Sequence, residues 1–176
     1  MSGHNKWSKI KHKKAATDAQ KSKIFGKLAR LIAVESKKAG GDSNSPGLRL
    51  AIDKAKEVNM PKDNIDRAVA KGTSADTAAL ESVVYEAYGP GGCALIITGL
   101  TDSRNRTAAE VKHTLSKNGL ELAAQGSALW AFEKNGDEYT AKSTVPLSES
   151  DAQKLEGVIE AFGELEDIQD VFTNAE

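Results

Sequence analysis

Apolar residues recur at helical spacing between Ala15 and Lys38, at Ile24, Phe25, Leu28, Leu31 and Ile32. Gly40 and Gly41 follow, suited to a C-terminal cap. Ser45-Pro46 reads as an N-cap with proline in the first helical position. Leu48, Ile52, Ala55 and Val58 then give one apolar face. Asn59-Met60-Pro61 breaks that helix and starts a third, which turns Ile65, Ala68 and Val69 inward and ends at Gly72. None of the three can bury its stripe alone, so the pattern predicts a small three-helix domain.

After the polar connection 72–80 the period changes to two. Ser82–Tyr88 reads as a strand, Gly89-Pro90-Gly91-Gly92 as a turn, and Cys93–Leu100 as a buried strand. Thr107-Ala-Ala-Glu110 has the form of a capping box and predicts a helix start at Thr107, with Val111 and Leu115 inside and Gly119 at the end. Ala128–Glu133 alternates, which predicts a strand with Trp130 and Phe132 on one side. Asn135-Gly136 is a hairpin signal leading into a weak strand over Tyr139–Val145. Ser148 or Ser150 caps a last helix with Ala152, Leu155, Ile159 and Phe162 inside, and Ile168–Thr173 closes as a strand. The predicted class is α+β: a three-helix domain over 1–75, then an antiparallel-sheet domain of ferredoxin-like type over 76–176, with helices on one face.

Charge changes this picture more than composition does. The 176 residues carry 24 Lys+Arg against 25 Asp+Glu, a net of −1. Residues 1–71 hold 17 basic and 7 acidic side chains, residues 72–134 hold 5 and 7, and residues 135–176 hold 2 and 11. One end is therefore built for a polyanion and the other against it. A hydrophobic content of 39% fits a folded chain. The longest apolar run, Cys93–Ile97, is far short of the ~20 residues that span a bilayer. One cysteine and an N-terminus without an apolar core predict a cytoplasmic protein with no membrane partner.

The richest candidate chemistry is the N-terminal arm. Lys6, Lys9, Lys11, Lys13 and Lys14 stand with His4, Trp7 and His12, and no carboxylate precedes Asp18. Such a segment repels itself, and a phosphate backbone would order it by counterion release. Trp7 can stack on a base or pack as an anchor, and packing is the commoner role of a lone tryptophan. On the first helix Lys23, Lys27 and Arg30 fall opposite the apolar stripe and continue the arm's charge. A helix-turn-helix reading of Asn59-Met60-Pro61 is disfavoured, because the third helix would offer Asp63 and Asp66 beside Lys62 and Arg67 to a phosphate-lined groove. Arg104 and Arg106 stand beside a predicted helix start and suit a phosphate. They equally suit pairing with Asp102 or the acidic C-terminal helix. His4, His12, His113 and Cys93 lack metal-ligand spacing, and no nucleotide loop or nucleophile motif occurs. No enzyme activity, cofactor, metal or small-molecule substrate is expected.

Five segments resemble one family: Ser2-Gly-His-Asn-Lys-Trp7, Ile10-Lys-His-Lys-Lys-Ala-Ala16, Asn59-Met-Pro-Lys-Asp-Asn-Ile65, Tyr88-Gly-Pro-Gly-Gly92 and Thr101-Asp-Ser-Arg-Asn-Arg-Thr107. They are similar to the YebC/PmpR family, which includes the mitochondrial translational activator of cytochrome c oxidase subunit I. The resemblance covers 1–134 and implies an all-α N-terminal domain followed by α+β structure. It implies a role in gene expression, described as DNA-binding transcriptional regulation. In some members the role is instead translational, at the ribosome, including relief of stalling on proline-rich sequences. Family members usually insert a third domain after the strand that is Ala128–Glu133 here, and a turn over 135–143 stands in its place. The expected function is a nucleic-acid-binding regulator with mostly electrostatic, weakly sequence-selective contacts. The alternatives are a translation factor on ribosomal RNA and a protein-interaction module. The expected contacts are Lys6, Trp7, Lys9, Lys11, His12, Lys13, Lys14, Lys23, Lys27 and Arg30, with Arg104 and Arg106 behind them.

Overall fold

Thr17 opens the first helix of the computed structural model, which describes residues 17–75 and 79–176. Its hydroxyl accepts from the Gln20 amide at 3.3 Å while Gln20 Oε1 accepts from the Thr17 amide at 3.5 Å. This reciprocal capping box starts α1 (Asp18–Ala39). The expected start at Ala15 lies outside the described residues. Gly40, at φ 60°, ends α1 in the left-handed conformation that glycine adopts without a Cβ clash. Pro46 begins α2 (Pro46–Glu57) as its fixed φ favours, although Ser45 makes no side-chain cap. Asn59, at φ 59°, turns the chain out of α2, and α3 (Lys62–Gly72) follows.

The described chain divides into two compact units, Thr17–Glu81 and Ser82–Glu176. In the first, Ile32, Leu48, Ala51, Ala55, Met60, Ile65 and Ala68 form the core. The expected stripe of α2 is rotated slightly: Ala51 is buried, and Ile52 and Val58 are half-buried. Gly72 lets α3 approach α1. A Cβ there would lie 2.3 Å from the Ala33 carbonyl oxygen and 2.7 Å from Ser36 Cβ. Ser36 Oγ donates to the Val69 carbonyl at 2.7 Å across the same contact.

The second unit contains β1 (Glu81–Tyr88), β2 (Ala94–Thr101), α4 (Arg104–Lys117), β3 (Phe132–Asn135), β4 (Glu138–Ala141), α5 (Glu149–Gly163) and β5 (Ile168–Thr173). β1, β2 and β5 form one sheet in that order, with β2 and β5 antiparallel from Leu95↔Thr173 to Gly99↔Ile168. β3 and β4 form a separate antiparallel hairpin, Phe132↔Ala141 to Asn135↔Glu138. Leu95 and Ile97 of β2 turn to one face, where Val111 and Leu115 of α4 and Leu155, Val158, Ile159 and Phe162 of α5 cover them. Ala94 and Ile96 turn to the other face, where Ala128, Ala131, Phe132 and Tyr139 pack with Phe172. Period two thus buries β2 on both sides, with helices on one face and the hairpin on the other.

Two local expectations are corrected. α4 starts at Arg104, not Thr107: Ser103 is its N-cap and its Oγ accepts from the Arg106 amide at 3.4 Å. Thr107 lies inside the first turn, fully buried. Leu129–Ala131 is a 3-10 turn, so the strand begins only at Phe132. The change of geometry separates two side chains expected together: Phe132 is buried and Trp130 exposed.

Candidate nucleic-acid interface

Lys6, Trp7, Lys9, Lys11, His12, Lys13 and Lys14 lie outside the described residues. On α1, Lys21 and Lys23 are exposed, while Lys27 and Arg30 are half-buried. The helix has two acids. Asp18 stands in the first turn, where it complements the helix dipole. Glu35 is buried, its Oε1 2.7 Å from Lys38 Nζ. Its other oxygen lies against the first turn of α2, 2.3 Å from where a Gly47 Cβ would stand. That turn has no acid of its own, so the Glu35 carboxylate places negative charge at the start of α2, where the helix dipole favours it. The middle of α1 therefore carries cations of one sign. On α3 the exposed Lys62 and Asp66 pair at 3.6 Å, a mixed surface of the kind that disfavoured groove reading.

Arg106 belongs to a different kind of site. Its Nη2 lies 2.8 Å from Asp167 Oδ2 and 2.6 Å from Asp102 Oδ1, and its Nε donates to Asp167 Oδ2 at 3.2 Å. Asp167 is only 2% exposed. The same Oδ2 accepts from Thr107 Oγ1 at 2.8 Å and Thr101 Oγ1 at 3.2 Å. Thr101 Oγ1 accepts in turn from the Ser103 amide at 2.8 Å. Bonds from Asp167, then from Asp102, hold the Arg106 guanidinium well above its ordinary pKa. The motif 101–107 thus ties the end of β2 and the start of α4 to the residue before β5. Arg104, two residues earlier, is exposed, and its charge opposes the rise that burial, chiefly, and then Asp167 impose on the Tyr85 hydroxyl.

A second network was not read from the sequence. Glu86, on β1, is buried, and its carboxylate accepts from the amides of Gly126 (2.5 Å), Ala128 (2.7 Å) and Leu129 (2.9 Å). Tyr88 Oη donates to the Ser127 carbonyl and accepts from Trp130 Nε1 at 3.2 Å. A lone carboxylate between apolar strand residues was the available signal, because a buried charge requires donors.

Among the described residues no group of three or more His, Cys, Asp or Glu side chains could hold a metal ion. Cys93 is buried, and burial pushes its thiol pKa up. No described helix is long and apolar enough to cross a membrane.

Comparison with known proteins places the chain in context. Residues 5–75 match the model of the TACO1/YebC protein N-terminal domain, and residues 80–138 match that of the TACO1/YebC second and third domain. A probable transcriptional regulatory protein of Fervidobacterium nodosum is 39% identical, over 99% of this chain and 93% of that protein. One from Halothermothrix orenii is 48% identical over 92% of this chain, a match that spans 63% of the relative. The Fervidobacterium alignment runs over 235 positions, so it includes residues with no counterpart among these 176. A crystal structure of a conserved hypothetical protein from Aquifex aeolicus superposes with a TM-score of 0.81 at 32% identity, covering 95% of each chain. The family models match well over half of the sequence, with the fold in agreement, and the chain belongs to the TACO1/YebC family.

Proposed function

We propose that this protein is a nucleic-acid-binding regulator of gene expression, acting as a DNA-binding transcriptional regulator through contacts that are mostly electrostatic. The carrying observation is the one-sided charge of the first 71 residues, 17 basic against 7 acidic. The arrangement of α1 supports it, because Glu35 is withdrawn from the surface and Asp18 stands at the helix end. The names of the relatives as probable transcriptional regulatory proteins point the same way.

In this reading Lys6, Lys9, Lys11, Lys13, Lys14, Lys23, Lys27 and Arg30 neutralise phosphates, with Trp7 and His12 beside them. Arg104 is a secondary contact. Arg106 already has two carboxylates and contributes least. Phosphate contacts of this kind fix position and carry little sequence information. No catalytic step, cofactor or metal enters the mechanism.

The same cations fit ribosomal RNA, and two measurements on one culture separate the targets. Crosslinking enriches promoter DNA if the protein regulates transcription. Co-sedimentation with ribosomal subunits or whole ribosomes, lost in high salt, without promoter enrichment would replace that reading with a translational one. Absence of both would overturn the nucleic-acid reading.

A further inference from the structure

Val84, Tyr88 and Trp130 are the exposed large apolar side chains described in the second unit. Trp130 is 62% and Tyr88 39% exposed. Val84, Glu86 and Tyr88 alternate onto one face of β1. Glu86 fixes that face to the amides of Gly126, Ala128 and Leu129, and Leu129 adjoins Trp130. The two rings are also fixed to each other. Trp130 Nε1–H donates to Tyr88 Oη, and Tyr88 donates onward to the Ser127 carbonyl.

These bonds decide what the rings can receive. The indole donor and the phenol hydrogen are both engaged within the unit, so the rings offer a visitor their faces. A peptide backbone brings carbonyls and amides that need partners, which this patch has already committed elsewhere. Three side chains fall far short of the ~800 Å² per partner of a stable protein interface. A nucleobase needs only a rigid aromatic face, and stacking on one is tolerant of sequence.

We propose that Trp130 and Tyr88 form a stacking platform for unpaired nucleobases, so that a single-stranded stretch of nucleic acid gains a contact beyond the phosphate contacts. The proposal rests on the nucleic-acid reading above and refines it. In a duplex the base faces are covered by their neighbours, so the platform adds affinity only where bases are unstacked.

The test compares a labelled oligouridylate with a duplex of equal length, using the full chain. Trp130→Leu is expected to weaken oligouridylate binding roughly tenfold and to leave duplex binding unchanged. Trp130→Phe, which restores a ring, should recover most of the loss. Equal affinity of wild type and Trp130→Leu for the oligouridylate would overturn the platform while leaving phosphate binding intact. Failure of the wild type to bind either probe would overturn both readings. Loss of binding to both probes, or a change of oligomeric state in Trp130→Leu by sedimentation, would assign the patch to folding or self-association and overturn the proposal. Unchanged thermal unfolding of the variant is expected, since Trp130 is mostly exposed.

Discussion

Asp167 takes four donors on one carboxylate oxygen while nearly excluded from water. Replacing it with alanine takes away the acceptor of the buried Thr101 hydroxyl and the carboxylate partner of Arg106, and should lower stability by roughly 2–3 kcal/mol, read by urea unfolding. Arg106→Ala leaves the buried Asp167 carboxylate without its cation and should destabilise by a comparable amount. Cys93 provides a pH test at the same scale. Burial raises its folded pKa above the ordinary value of 9.0, so the folded state holds the thiol proton more tightly than the unfolded chain. Its contribution is complete below pH 9 and is lost as pH rises through the raised value. Stability should therefore fall on the alkaline side more steeply in the natural protein than in Cys93→Ala, measured by unfolding at successive pH values. Of these groups the sequence made Arg106–Asp102 legible, because i,i+4 pairing is local. Asp167 was not legible as the other partner, because 61 residues separate it from Arg106 and only the fold brings them together.

At the scale of elements, local chemistry was readable and tertiary adjustment was not. Asn135-Gly136 announced its hairpin, and Gly136 adopts φ 64° there. Thr107-Ala-Ala-Glu110 had the letters of a capping box, but Ser103 caps one turn earlier and Thr107 is drawn inward to Asp167. The alternation through Trp130 failed because Glu86, far away in sequence, organises residues 126–129 into a turn. Glu86→Ala should release those amides, seen as faster hydrogen exchange at Ala128 and Leu129. Unchanged protection would remove Glu86 from that role. Gly72→Ala forces a Cβ onto the Ala33 carbonyl. It should cost about 1–3 kcal/mol, read as a lower urea midpoint for the helical unit.

For the whole molecule, a net charge of −1 conceals a steep gradient along the chain. The helical class, the sheet class and the basic end were all legible, because periodicity and charge are sums over many residues. The aromatic platform depended on one side-chain network and was not. The central claim is that the basic end binds phosphates, and the salt dependence of binding tests it most directly. With labelled duplex DNA and ~6 phosphates neutralised, log K should fall against log salt with a slope of about −5. Replacing Lys23, Lys27 and Arg30 with alanine should make that slope shallower by up to about 3, whereas Arg106→Ala should leave it nearly unchanged. A slope near zero for DNA and ribosomal RNA alike would contradict the claim.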